Sequence, residues 1–79
     1  MQRVVFDSYA ILAWLEEEPG AAFVEGLLES AERGEVWAGV CIINLGEVYY
    51  RTWREHGRQQ ADEHLTMLLQ LRWEVFSAD

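Results

Sequence analysis

The 79-residue sequence contains no lysine, one proline and one cysteine. The single cysteine, Cys41, excludes an intramolecular disulfide and a zinc site built from several cysteines. With only two histidines in the chain, a Cys/His zinc cluster is excluded as well. This cysteine usage is typical of proteins from a reducing compartment, so we predict a cytoplasmic location.

Long hydrophobic runs are also missing from the sequence. No stretch reaches the roughly 18 apolar residues that a transmembrane helix needs. Near the N-terminus, Asp7 interrupts the first apolar run after three residues, which does not fit a signal peptide. We therefore predict that the protein does not associate with a membrane.

Basic residues are scarce. Fourteen acidic side chains stand against six basic ones, all of them arginine, and the formal net charge is −8. A domain that binds nucleic acid through general electrostatic attraction has the opposite sign. Contact with RNA would therefore need a local stripe of arginines, a bound metal ion or a second chain.

The sequence does contain enough apolar side chains to fold. Hydrophobic residues make up 51% of the chain, and four residues are tryptophan. This composition excludes a disordered chain, and the length allows one small domain.

Hydrophobic periodicity predicts three strands separated by two pairs of helices. The strands are predicted at residues 3–6, 35–40 and 73–76. The first is predicted to be buried on both faces, because it shows no polar alternation. The helices are predicted at residues 8–18, 21–33, 44–56 and 59–71. The predicted core face of the third contains Leu45, Val48, Tyr49 and Thr52, and that of the fourth contains Ala61, Leu65, Leu68 and Leu69. The order β-α-α-β-α-α-β predicts an α/β fold, a parallel sheet with helices on both faces.

Two features indicate the first part of a larger domain. The outer strands of a three-stranded sheet leave open edges, and four helices cover its two faces only partly. Residues 77–79, Ser-Ala-Asp, have the composition of a helix cap that follows the third strand. We therefore expect residues 1–79 to form one incomplete domain. Its open surface would be covered by a second copy, by exchanged elements or by residues outside this sequence.

Two carboxylates lie where open α/β sheets bind ligands. Asp7 directly follows the first strand, and Glu47 lies in the third helix. Each has a structural alternative: Asp7 as a helix cap, and Glu47 as the capping-box partner of Asn44, the predicted N-cap. If the first two strands are neighbours, both acids lie over one sheet edge and repel each other unless a cation is present. Oxygen ligands suit Mg²⁺ or Mn²⁺, which can activate water for phosphodiester cleavage.

The segments around these acids resemble a known family. VVFDSYAILAWLEEEPGAAFV, followed by VWAGVCIINLGEVYYRTWREHG, is similar to the N-terminal part of PIN-domain ribonucleases. Within that family the match is to the VapC-like toxins of type II toxin–antitoxin systems. The shared motifs are a strand that ends in Asp-Ser, a helix that closes with an acidic run and Pro-Gly, and the sequence Asn-Leu-x-Glu-Val.

The resemblance implies a metal-dependent endoribonuclease that cleaves RNA with Mg²⁺ or Mn²⁺. It makes Asp7 and Glu47 the metal-binding acids, Ser8 an orienting neighbour of the first acid, and Asn44 a residue near the site. Family members are commonly dimers and are blocked by an antitoxin segment. We therefore expect a homodimer and a cognate antitoxin as partners, and RNA as substrate.

The family's remaining acids follow the third strand, so the isolated 79-residue chain is expected to be inactive. Arg51 and Arg54 form a stripe on the third helix that would contact RNA phosphates, and the alternative is a solvated helix face. A different class of function also remains open. The chain would then be a non-catalytic interaction module that buries its open sheet edge in an oligomer.

Overall fold

A computed structural model describes residues 1–77 of the chain. Its seven elements are β1 (Gln2–Phe6), α1 (Ser8–Leu15), α2 (Ala21–Glu32), β2 (Val36–Cys41), α3 (Ile42–His56), α4 (Arg58–Leu69) and β3 (Glu74–Phe76). A helix cap was predicted at residues 77–79, of which residues 78 and 79 lie outside the described residues. None of the described helices has both the length and the hydropathy needed to cross a membrane.

The three strands form one parallel sheet in the order β1-β2-β3. The register pairs Phe6 of β1 with Val40 of β2, and Cys41 of β2 with Phe76 of β3. The predicted α/β class, element order and parallel sheet are therefore confirmed. The adjacency of the first two strands, on which the convergence of the two acids depended, is confirmed as well.

The hydrophobic core lies between one face of this sheet and the helices. Alternate strand positions contribute to it: Val4, Phe6, Val36, Ala38 and Val40. Both crossovers step across the sheet in the same direction, and because such crossovers are right-handed, both helix pairs fall on the same face. In agreement, α1 of the first pair packs on α3 of the second. Helices were predicted on both faces of the sheet. Among residues 1–77 they cover one face.

The opposite face of the sheet is open. Val5 on this face is 60% exposed, so the prediction that the first strand is buried on both faces is wrong. The indole ring of Trp37 lies against Gly39, where an added Cβ atom would overlap it. The guanidinium carbon of Arg3 lies 4.6 Å from the ring centroid of Trp37, a cation–π contact across two strands.

Helix α1 ends three residues earlier than its acidic run suggested. Glu17 adopts a left-handed conformation with φ of 54°, and the Glu18 N–H donates to the carbonyl of Ala13 at 2.9 Å. These are the features of a Schellman motif, which satisfies the last carbonyls of a helix. The glutamates at residues 16–18 therefore follow α1 instead of extending it.

Helices α3 and α4 pack against each other along most of their length. Of the four predicted core residues on α3, Leu45, Val48 and Thr52 are buried and Tyr49 is half-buried. The Tyr49 hydroxyl donates a hydrogen bond to Asp62 Oδ1 at 2.6 Å, which links the two helices. Because the carboxylate holds the phenol proton, this hydrogen bond raises the pKa of Tyr49.

One predicted core position on α4 is wrong. Ala61 and Leu68, seven residues apart, are both buried, whereas Leu69 is 57% exposed. Residues seven apart lie almost on one line along a helix, and the next residue is rotated by about 100°. Ala61 and Leu68 lie on the buried stripe of α4, whereas Leu69 is turned away from the core.

Two adjacent leucines provide a matched test of this packing. Leu68→Ala leaves a cavity in the core and is expected to lower the free energy of unfolding by about 2–5 kcal/mol. Leu69→Ala is expected to change it by less than about 0.5 kcal/mol. Urea denaturation followed by circular dichroism measures both. Equal losses in the two variants would contradict the orientation of α4.

Candidate functional site

The two predicted acids lie at the carboxyl edge of the sheet. Asp7 directly follows β1 and is the N-cap of α1. The pairing of Phe6 with Val40 brings the end of β1 beside the end of β2, from which α3 begins at once. Glu47 lies in the second turn of α3, and α3 packs on α1. The acids therefore occupy neighbouring helices that start at the same edge.

The carboxylate of Asp7 holds the start of α1. Its Oδ1 atom accepts a hydrogen bond from the backbone N–H of Ala10 at 2.8 Å, so its role as a helix cap is confirmed. Asp7 is exposed and takes part in no ion pair among residues 1–77. The second carboxylate oxygen thus remains free to bind a cation, and the two roles of Asp7 are compatible.

Helix α3 begins two residues earlier than predicted. Its N-cap is Cys41, which makes no side-chain capping hydrogen bond, and Asn44 lies within the first turn. The prediction that Asn44 caps this helix with Glu47 as its capping-box partner is therefore wrong. The chain passes from β2 into α3 without an intervening loop, so no polar residue separates the two apolar elements. Glu47 itself is exposed and has no hydrogen bond or ion pair within residues 1–77.

Three further predicted residues lie close to these acids in the chain. Ser8 is buried in the first turn of α1, next to Asp7. Arg51 and Arg54 are exposed and follow Glu47 by four and seven residues, so all three lie on one side of α3. Arg51 Nη2 lies 3.8 Å from Glu55 Oε1, and the Arg54 guanidinium lies 5.6 Å from the ring centroid of Tyr50.

The donor set at this edge suits a hard divalent cation. Mg²⁺ is commonly held by one or two protein carboxylates, with waters and substrate phosphates completing its shell. Asp7 and Glu47 supply two carboxylates. In the described part of the chain, neither belongs to a cluster of three ligand-type side chains.

The structure also brings together three side chains that sequence reasoning did not connect. Glu16 follows α1, and Glu55 and His56 end α3. One ligand atom from each lies within 4.8 Å of the others. Glu16 and Glu55 are far apart in the chain and no motif spacing relates them, so only the packing of α1 on α3 reveals the cluster.

Comparison with models of protein families, with curated proteins and with solved structures finds no match to this chain. The resemblance to PIN-domain ribonucleases therefore rests on the motifs around Asp7 and Glu47. These motifs occupy the carboxyl ends of two adjacent parallel strands, where open α/β sheets bind their ligands.

The capping role of Asp7 can be separated from any role in metal binding. Asp7→Ala removes the acceptor for the Ala10 N–H and is expected to lower the free energy of unfolding by about 0.5–2 kcal/mol. Asp7→Asn retains a capping oxygen and is expected to leave stability nearly unchanged. Thermal denaturation compares the two, with Glu47→Gln as a control that should not change stability. Equal destabilisation by Ala and Asn would contradict the cap.

Proposed function

We propose that this protein is a metal-dependent endoribonuclease of the PIN type, acting as the toxin of a toxin–antitoxin pair. Asp7 and Glu47 would hold Mg²⁺ or Mn²⁺. The observation that carries the proposal is the parallel pairing of β1 with β2, since it brings both acids to one sheet edge. A cytoplasmic location is part of the proposal, and the free Cys41 thiol supports it.

Both acids are available to a cation. Neither carboxylate is neutralised by a basic side chain among residues 1–77, and a positive ion bound by both would offset their negative charges. When bound, the ion would supply Lewis-acid polarisation of the phosphate and a water of lowered pKa. The Ala10 N–H keeps the Asp7 carboxylate oriented, and Ser8 is buried in the same turn.

Arg51 and Arg54 supply the positive charge that an RNA substrate would need. Both lie on the same side of α3 as Glu47, and each makes only a weak surface contact within the chain. With a net charge of −8, this stripe and the metal would have to attract the phosphates.

Exposed apolar side chains near the acids support a protein partner. Ile43 and Tyr50 are more than half exposed and flank Glu47 on α3, and Tyr9 is exposed two residues after Asp7. An antitoxin segment that covers this edge would bury them while blocking access to the acids. A homodimer of the chain is the second partner in the proposal.

Metal binding tests the proposal directly. Titration of the chain with Mn²⁺ is expected to broaden the NMR resonances of Asp7 and Glu47 selectively. Asp7→Asn and Glu47→Gln should each abolish this broadening at both positions, whereas Glu63→Gln, an exposed carboxylate change on α4, should not. An absence of broadening at millimolar Mn²⁺ would overturn the assignment. So would cleavage of single-stranded RNA by a protein that also carries the family's remaining acids, if that cleavage persists at full rate in Asp7→Asn.

The open sheet face favours a second candidate function, self-association through a second copy of this chain. The face carries the exposed Val5 and the half-buried Trp37 and Phe76 between Arg3 on one outer strand and Glu74 on the other. A twofold axis along β2 would lay β1 of one copy over β3 of its partner. Each Arg3 would then face the Glu74 side of the other copy, and the contact would be self-complementary.

A matched pair of substitutions tests this candidate. Val5→Glu places a charge on the open face and is expected to convert a dimer into a monomer. Leu69→Glu changes an equally exposed apolar residue on α4 and should leave the mass unchanged. Light scattering at several salt concentrations measures both. Because each copy carries a charge of −8, added salt should strengthen the dimer. A wild-type chain that remains monomeric at high concentration would exclude this candidate.

A further inference from the structure

The ends of α1 and α3 meet at a place distinct from the sheet edge near Asp7 and Glu47, which we call the acidic sheet edge. Both helices start at that edge, and α1 ends before Glu16 after eight residues, a length of about 12 Å. Glu55 follows Glu47 by eight residues and is displaced from it by a similar distance along α3. Glu16, Glu55 and His56 therefore form a separate cluster, the helix-end cluster.

The spacing within the helix-end cluster fits ligands of one ion. His56 Nε2 lies 3.7 Å from Glu16 Oε1, which is longer than a charge-assisted hydrogen bond. Two ligand atoms bound at about 2.1 Å to a tetrahedral ion lie about 3.4 Å apart. All three ligand atoms lie within 4.8 Å of one another, and the side chains are exposed. Small rotations of these side chains would complete the geometry.

The helix dipoles at this place attract a cation. Glu16 is the C-cap of α1, whose last turn contains no basic residue. Glu55 lies in the last turn of α3, which also contains Arg54 and His56. The C-terminal end of a helix carries partial negative charge, which disfavours a carboxylate there. The Arg51 contact with Glu55, at 3.8 Å on the surface, offsets little of this. A bound cation would interact favourably with both carboxylates and both helix ends.

His64 of α4 lines the same cavity of about 340 Å³ as Glu16, Glu55 and His56, so a second imidazole borders the cluster. Its Nδ1 atom is buried and has no hydrogen-bond partner among residues 1–77. His64 does not belong to the group of three ligand-type side chains.

We propose that the helix-end cluster binds a divalent transition-metal ion of the Zn²⁺ class, with Glu16, Glu55 and His56 as ligands. The mixed imidazole and carboxylate donor set favours such an ion over Mg²⁺ or Ca²⁺, which prefer oxygen ligands alone. The ion would join the end of α1 to the end of α3. Because the unfolded chain lacks this arrangement, binding would stabilise the fold.

Titration with Zn²⁺ by calorimetry, and with Co²⁺ by visible absorption, tests this site. We expect one ion per chain and a melting temperature that rises with Zn²⁺ concentration. Glu16→Gln and His56→Gln should each weaken binding by at least about tenfold. Glu18→Gln, which removes an exposed carboxylate two residues from Glu16 and outside the cluster, should leave the affinity unchanged.

The outcomes separate this site from the acidic sheet edge. Asp7→Asn is expected to leave Zn²⁺ affinity unchanged, and His56→Gln is expected to leave Mn²⁺ broadening at Asp7 unchanged. Zn²⁺ affinity equal in wild type and His56→Gln would overturn the helix-end site. The same conclusion would follow if Zn²⁺ failed to bind at neutral pH, where an imidazole can act as a ligand. Neither result would bear on Mn²⁺ at Asp7 and Glu47.

Discussion

The parallel pairing of β1 with β2 is the interaction on which the rest of this structure depends. A parallel pair requires a crossover, and here the crossover consists of α1 and α2. The same pairing brings the ends of β1 and β2 side by side, so that α1 and α3 start at one sheet edge and pack together. Asp7 and Glu47 lie near the start of this helix pair, and the helix-end cluster lies at its other end. Both candidate metal sites are therefore consequences of one strand pairing.

The two ends of α1 place carboxylates in opposite electrostatic environments. Asp7 lies at the N-terminus, where the helix dipole favours a negative charge and the Ala10 N–H donates to it. Glu16 lies at the C-terminus, where the dipole opposes a negative charge. The negative charge of Asp7 is therefore already stabilised by the helix, and a cation bound there would not be needed for stability. A cation at Glu16 would relieve an unfavourable arrangement, and this is why the proposed transition-metal site is tied to stability.

The one-sided arrangement of the helices has its own physical cost. Placing both crossovers on one face builds a core around Phe6, Val40 and Ile11 but leaves the other face of the sheet to solvent. Trp37 partly compensates, because its ring covers the backbone at Gly39 and contacts Arg3. Val5 has no such cover. An exposed apolar face of this kind is the strongest physical argument for self-association, and the net charge of −8 is the strongest argument against it.

The sequence by itself determined the element order, the α/β class and the core face of α3, because side-chain periodicity records which side of each element is apolar. It also placed Asp7 at the end of a strand. Only the tertiary structure decided that Val5 is exposed, that Leu69 faces outward and that Asn44 is not a helix cap. Only the tertiary structure brings Glu16 close to Glu55 and His56. Periodicity is local to one element, whereas these features depend on which other element packs against it, and that is decided by strand order and crossover handedness.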